Sequence, residues 1–260
     1  EHPEYNRFAA PLEVKLGRDD FSWEASEKGR LGLLRLRSKG AEALALMFRN
    51  FRLAPGARLF VYRPDGQQVL GAYTERNNRP QENFLAGFVK GDEVVLELFE
   101  PAGQEESRLD IFRVMYAYDP LRLQSDHPFQ VYQGQGFGDA LPCHVNINCP
   151  EAEDWQEEKR GVVRILRVFE EGAGWCTGSL INNTAEDARP LVLSAFHCQQ
   201  DLTPLYDMWR FDFSYEFPGC VGDTAEPSFA ALLGCAPLSM RQESDFLLLE
   251  LQSAIPLGFQ

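Results

Sequence analysis

An all-β fold is predicted by short apolar runs that recur along the chain with no long helical pattern between them. The runs are β-branched or aromatic, or alternate apolar with polar residues, as strands do. The first half contains LEVKL, LGLLRLR, ALALMF, RLFVYR, VVLELF and LDIFRVMYAY, and the second half contains GVVRILRVF, WCTGSLI, PLVLSA, MWRFDF and FLLLEL. Strands at this spacing predict a β-sandwich over residues 1–118.

Turn residues predict how these strands connect. Pro64-Asp65-Gly66 separates RLFVYR from QQVLGAY, and it predicts a hairpin because proline presets one φ value while glycine accepts a positive one. The Gly-Ala-Gly at 172–174 is predicted to turn the chain between GVVRILRVF and WCTGSLI. Residues 119–142 are rich in Pro, Gly, Gln and Asp and are predicted to be a linker to a second domain at 143–260.

Charge and composition exclude several classes of function. The chain of 260 residues has a net charge of −14, so nucleic-acid binding is not expected, because phosphate neutralisation needs a basic surface. A cationic substrate suits this field, although solubility alone explains it equally. The sequence contains no run of about 18 apolar residues, the length that would predict a membrane-spanning helix. No glycine-rich phosphate loop or His/Cys metal cluster appears, so neither a cofactor nor a metal is expected.

The cysteines point to an oxidising compartment. All six lie in the second half, dispersed and outside CxxC pairs, at Cys143, Cys149, Cys176, Cys198, Cys220 and Cys235. This usage predicts disulfides; buried free thiols in a cytosolic protein are the alternative. The first residues, EHPEYNRF, are polar and show no signal peptide, as in a secreted protein whose signal has been removed. We expect a secreted or periplasmic bacterial protein.

His197 is the first candidate for catalysis. It directly precedes Cys198, and Cys176 lies 22 residues upstream. A histidine with a pKa near neutrality can take a proton from a hydroxyl nucleophile and return it to a leaving group. A bond between the two cysteines would hold the imidazole still, as a general base requires. Taken alone, a core histidine that satisfies a backbone carbonyl is the stronger alternative.

Asp245 is the second candidate. It precedes the apolar run FLLLEL, 48 residues after His197. A carboxylate at the mouth of an apolar strand needs a partner, and an imidazole N–H is a good one. The alternative is a turn aspartate that bonds to its own backbone. Taken together, the order His then Asp, with the histidine beside a cysteine, matches one arrangement of the catalytic triad.

Three separated blocks carry a resemblance to a known family. CTGSLINNT followed by SAFHC is similar to the histidine region of chymotrypsin-fold serine proteases. More narrowly, CHVNINCPE, CTGSLINNTAEDARPLVLSAFHC and SDFLLLEL resemble bacterial lysyl endopeptidases over residues 143–252. The resemblance implies that 143–260 is the first β-barrel of a chymotrypsin-like double barrel, with His197 as general base and Asp245 as the carboxylate that orients it.

The resemblance also implies how the cysteines pair. Cys176 is expected to bond to Cys198, Cys149 to Cys220, and Cys143 to a cysteine in a part of the family's fold that these residues lack. Cys235 has no counterpart in the family. It either captures Cys143 or stays free.

The family's nucleophile is a serine in a glycine-rich turn of the second barrel, and no such motif occurs in the 260 residues. Ser179 is not a substitute, since by resemblance it lies on a strand of the first barrel. We therefore expect this chain alone to hydrolyse no peptide. A second chain that carries the other barrel is the expected partner, and polypeptides are the expected substrates.

The first half is similar to β-sandwich pro-domains of such enzymes, which implies a zymogen. GARLFVYRPDGQQVLGAYTERNN and GDEVVLELFEP carry this likeness, and an unrelated carbohydrate- or protein-binding sandwich is the alternative. Only five of the 25 basic residues are lysines, which fits an enzyme that cuts after lysine, although arginine-rich coding explains it equally. The alternative function is a catalytically inactive, protease-like binding protein with a recognition sandwich.

Overall fold

The chain forms two compact β-units. The computed structural model describes residues 7–119, 144–220, 227, 229–256 and 258–259. One unit is Ala9–Asp119, and the other comprises Pro120–Gln260 together with Glu1–Phe8. The expectation of an all-β fold is confirmed. No helix among the described residues is long and apolar enough to cross a membrane. The linker predicted at 119–142 lies outside the described residues apart from Asp119, so the predicted boundaries stay predictions.

The first unit is a sandwich of two antiparallel sheets. One sheet has the order β1–β9–β4–β7 and the other the order β2–β3–β8–β5–β6. The strands are β1 (Arg7–Leu16), β2 (Ser22–Ser26), β3 (Gly29–Arg37), β4 (Ala43–Arg52), β5 (Arg58–Tyr62), β6 (Val69–Tyr73), β7 (Phe84–Lys90), β8 (Glu93–Pro101) and β9 (Arg108–Ala117). Short 3-10 turns at Arg18–Asp20 and Glu75–Asn77 join them.

Aromatic and aliphatic side chains fill the space between the two sheets. Phe48, Phe51 and Phe84 pack together with ring centroids 4.4–6.2 Å apart, and Leu59 and Leu98 from the facing sheet are fully buried. Each such side chain contributes about 1.5–3 kcal/mol on burial. The hairpin predicted at Pro64-Asp65-Gly66 is confirmed, since β5 and β6 pair across it and Gly66 has a φ of +72°.

A buried carboxylate crosslinks one end of the sandwich. The Glu100 side chain is only 2% exposed and accepts hydrogen bonds from Arg18 at 2.8 Å, Arg30 at 2.7 Å and the Ser107 N–H at 2.6 Å. Burial alone raises the pKa of a carboxyl, but these donors outweigh it, and the pKa of Glu100 lies below its ordinary value. The three donors belong to different segments of the sandwich, so the hydrogen bonds of Glu100 tie these segments together and stabilise the unit.

The second unit is a nearly closed barrel. Its strands are β10 (Val162–Phe169), β11 (Gly172–Ile181), β12 (Leu191–Ser194), β13 (Arg210–Phe213), β14 (Ala230–Leu233), β15 (Cys235–Arg241) and β16 (Phe246–Leu251). Antiparallel pairing runs β14–β13–β10–β11–β12–β16–β15. The 3-10 turns of this unit are Pro150–Trp155, Glu158–Gly161, Phe196–Cys198 and Tyr206–Met208.

Gly234 closes the barrel between its two outermost strands, β14 and β15. Its N–H donates to the carbonyl of Trp209 at 2.7 Å, next to β13, and its own carbonyl accepts from the N–H of Gln252 at 3.0 Å, next to β16. The φ of Gly234 is +83°, a conformation that favours glycine. One residue therefore connects both sides of the seam through its main chain.

The β10–β11 hairpin turns two residues earlier than predicted. Phe169 pairs directly with Gly172, so Glu170 and Glu171 form the turn. The Gly-Ala-Gly at 172–174 begins strand β11 instead. The prediction was wrong because a glycine cluster favours a turn in sequence, whereas here the small residues are buried within a strand.

Candidate active site

His197 and Asp245 come together at one end of the barrel. Strand β12 ends at Ser194, and the 3-10 turn Phe196–Cys198 that follows presents His197. Asp245 is the last residue of the β15–β16 turn, with its N–H on the carbonyl of Gln242 at 3.1 Å. Strands β12 and β16 are direct neighbours, so pairing in the sheet brings these two residues side by side although 48 positions separate them.

The two residues share two hydrogen bonds. The Nδ1 atom of His197 lies 2.8 Å from Oδ2 of Asp245, and the His197 backbone N–H donates to Oδ1 at 2.9 Å. The side-chain hydrogen bond of His197, followed by the backbone one, lowers the pKa of Asp245 below its ordinary value. The carboxylate therefore stays ionised at neutral pH, and it favours the tautomer with the proton on Nδ1, which leaves Nε2 able to accept one.

The geometry of Asp245 explains how a turn residue reaches the histidine. Its φ is +48°, in the left-handed region that aspartate tolerates better than most residues. The side chains of His197 and Asp245 are 56% and 52% exposed. Both side chains are therefore accessible to solvent in the part of the chain that the structure describes.

A disulfide holds the histidine turn against the barrel. Cys198 is bonded to Cys176 on β11, and Cys149 is bonded to Cys220. These are the two pairs that the resemblance implies. Cys143 lies outside the described residues. Cys235 is buried, and its Sγ lies 3.7 Å from the carbonyl oxygen of Tyr206.

The histidine turn has further partners that the sequence did not reveal. Arg167 on β10 donates from Nη1 to the carbonyl of Cys198 at 2.6 Å. The Ser194 hydroxyl donates to the carbonyl of Thr177 at 2.8 Å, next to Cys176. The only hint of the first contact in the sequence is a second arginine within the apolar run GVVRILRVF. The turn is therefore held from β10 by the Arg167 side chain, and the residue that leads into it is held from β11 by the Thr177 carbonyl.

Sulfur and nitrogen atoms of Cys176, His197 and Cys198 lie within 4.8 Å of one another, which is close enough to suggest metal ligands. The two sulfur atoms are bonded to each other, and zinc is bound by cysteine as the thiolate. In this oxidised form the group has no thiolate to offer a metal. The cluster is the disulfide beside the imidazole.

A cavity of about 550 Å³ lies beside the β10–β11 hairpin. Trp155, Val162, Trp175 and Tyr215 supply much of its wall. The guanidinium of Arg164 stacks on two of these rings, 4.1 Å from the centroid of Trp175 and 3.2 Å from that of Tyr215. Neither member of the His–Asp pair lines this cavity, so the cavity and the candidate active site are separate features.

Two comparisons with known proteins find similarity to lysyl endopeptidases. Residues 137–260, just under half of the chain, match the family model for the C-terminal domain of lysyl endopeptidase. A lysyl endopeptidase of Pseudomonas aeruginosa is 28% identical over 191 residues, which cover 70% of this chain and 39% of that relative. Since 70% exceeds what 137–260 contains, this similarity extends into the first half. The chain is thus similar to lysyl endopeptidases, with the family match carried by residues 137–260, and it spans well under half the length of the curated relative that it matches.

Proposed function

We propose that this chain is part of a secreted serine endopeptidase in which His197 is the general base and Asp245 orients it. One observation carries the proposal: Nδ1 of His197 lies 2.8 Å from an Asp245 oxygen whose partner oxygen accepts the histidine's own N–H. Two contacts from one carboxylate fix both the ring and its backbone. This is the arrangement that a base in acyl transfer needs.

The proposed reaction uses Nε2 of His197, the ring nitrogen that does not face Asp245. Nε2 removes the proton from a serine hydroxyl as its oxygen attacks the substrate carbonyl. The resulting imidazolium is stabilised by the ionised Asp245, and Nε2 then returns the proton to the leaving amine. We expect the nucleophile to lie outside these 260 residues, because they contain no serine in a glycine-rich turn of the family's kind. Ser179 is no substitute, since it sits within β11, paired with Val162 and Leu193.

The remaining features fit a secreted zymogen. Two disulfides suit an oxidising compartment, and a sandwich that precedes the protease-like unit suits a pro-domain. Residues 141–260 hold 18 acidic and seven basic residues, and such a negative field favours a cationic polypeptide substrate. The similarity to lysyl endopeptidases supports lysine at the cleaved bond. The expected partner is a second barrel, on this polypeptide or another, that supplies the serine.

The experiment compares the product of the complete reading frame with the 260-residue polypeptide alone. The complete protein should cleave a peptide library after lysine, and the shorter one should not. We expect Asp245→Asn to lower kcat of the complete enzyme about 10⁴-fold and His197→Ala about 10⁶-fold. Arg160→Ala, a change at an exposed residue of the same unit, is the matched control and should leave kcat unchanged.

Two results would refute the proposal. Labelling of a residue within 1–260 by a fluorophosphonate probe, located by intact mass and peptide mapping, would place the nucleophile inside this chain. A complete protein that folds, binds peptides and hydrolyses none would favour the protease-like binding protein instead.

A further inference from the structure

Arg167 is a charged residue on the inner face of the barrel. It alternates along β10 with residues that point the other way, and it shares its face with Val163, Ile165 and Phe169, which are fully buried. Arg167 itself is 2% exposed. Its partner across the hairpin is Gly174, which has no side chain and so leaves room for the guanidinium.

An arginine in this position costs free energy that a leucine would not. Moving a charge from water into an apolar interior is unfavourable unless the charge is well hydrogen-bonded. The contact of Nη1 with the Cys198 carbonyl at 2.6 Å is a charge-assisted hydrogen bond of the stronger kind. A charged side chain buried at such a site is best explained by what its hydrogen bond to Cys198 holds in place.

What this contact holds is the histidine turn. Cys198 is the residue after His197, and its carbonyl lies at the end of the turn Phe196–Cys198. Asp245 holds the turn through the His197 N–H, and Cys176 holds it through the disulfide. Arg167 supplies a third anchor from a different strand. The three contacts involve different atoms of His197 and Cys198, so each restrains the turn separately.

The side chain after the turn is anchored as well. Gln199 is 8% exposed, accepts a hydrogen bond from the hydroxyl of Tyr206 and donates to the sulfur of Met240 at 2.9 Å. This contact lies downstream of the carbonyl that Arg167 binds. It fixes where the chain leaves the turn but does not touch the carbonyl beside His197.

We propose that Arg167 is a positioning residue for His197. By holding the Cys198 carbonyl, it keeps Nδ1 of His197 on Asp245 and Nε2 directed at the nucleophile. The catalytic consequence rests on the proposed function, whereas the positioning itself does not. Loss of the anchor should loosen the imidazole, and a misplacement of about 1 Å at a reacting group costs about 100-fold in rate.

The first measurement needs no nucleophile. In the 260-residue chain, the Nδ1 proton between His197 and Asp245 is followed by low-field proton NMR, assigned by its loss in Asp245→Asn. We expect its exchange with solvent to be at least tenfold faster in Arg167→Met. Arg167→Lys, which keeps the charge without the planar fork, should be intermediate. Arg189→Met, which removes an exposed arginine paired with Glu250, is the control and should match the wild type.

The second measurement uses the complete enzyme. Arg167→Met should lower kcat about 10- to 100-fold with KM unchanged, because an anchor for the base acts on the chemical step. Arg167→Lys should recover part of the loss. If Arg167→Met does not fold, the lysine variant decides the question by the same two readouts.

Unchanged proton exchange in a folded variant would overturn the proposal, as would a rise in KM alone. If exchange accelerates as expected but the wild-type complete protein cleaves no peptide, the positioning role stands and the protease assignment fails. The two inferences are thus separable.

Discussion

The two disulfides should have different roles. Cys149–Cys220 should contribute more to stability, and Cys176–Cys198 should contribute more to activity. Cys176–Cys198 closes a loop with a sequence separation of 22, and Cys149–Cys220 one of 71. In the chain-entropy account, a crosslink stabilises by restricting the unfolded chain, and the effect grows with the logarithm of loop length. At 25 °C the shorter loop is worth about 3 kcal/mol and the longer about 4 kcal/mol.

Activity should follow proximity to the imidazole instead. Cys198 is fully buried and directly follows His197, so removal of its bond to Cys176 releases one anchor of the turn. We expect the double variant Cys176→Ala, Cys198→Ala to lose about 100-fold in kcat in the complete enzyme. The variant Cys149→Ala, Cys220→Ala should keep kcat within a few-fold while it loses more stability.

Native-state hydrogen exchange of the barrel amides is the suitable stability assay, because it reports the barrel separately from the sandwich. It is combined with kcat for both double variants, measured at a temperature where each is folded. The reasoning fails if the two variants lose kcat equally. It also fails if removal of the shorter crosslink leaves kcat unchanged, since the disulfide would then not hold the histidine turn.

Three further predictions test the network in the sandwich, the packing of the barrel and the ionisation of the site. Glu100→Gln should destabilise the sandwich by about 3–5 kcal/mol, because it breaks a buried ion pair. Glu93→Gln, which removes an exposed ion pair with Arg35, should cost under about 1 kcal/mol by urea unfolding. Since the pKa of Glu100 is lowered on folding, its stabilisation is complete above the ordinary glutamate pKa and disappears as the pH falls through the lowered one; a wild-type sandwich with no such acid-side loss, relative to Glu100→Gln, would contradict this. Gly178→Ala should cost about 1–3 kcal/mol, as the new methyl would lie 2.7 Å from a valine side chain in the barrel, and an unchanged melting temperature would disprove it. By carbon NMR the pKa of the Asp245 carboxyl should lie below its ordinary value because of its hydrogen bond to the imidazole, and His197→Ala should raise it; an unchanged pKa in that variant would show that the imidazole is not the cause.

Strand composition and turn chemistry were enough to anticipate much of the fold. The β5–β6 hairpin could be predicted because proline and glycine demand a turn at one place. Strand β15 (Cys235–Arg241) was missed, since it contains Pro237, has a register shift there and leaves most of its side chains exposed. A strand with neither an alternating pattern nor a buried face has no periodic signal to read.

The candidate site was predictable only in part. His197 and Asp245 stood out because a cysteine and an apolar strand flank them. The contact of Arg167 with Cys198 was hidden, because it depends on the register that sets Arg167 opposite Gly174. A period of two assigns a residue to a face but does not say which carbonyl a long side chain will reach.

The seam at Gly234 makes one short stretch of this barrel intolerant of changes in length. Its two hydrogen bonds join Gly234 to Trp209 on one side and to Gln252 on the other. The strands on both sides must therefore keep a fixed register relative to each other. Inserting one residue there would reverse the facing of every side chain that follows in β15, and Cys235, now 1% exposed, would turn toward water. Surface loops can lengthen as homologous proteins diverge, whereas an insertion at Gly234 would break the hydrogen bonds that close the barrel.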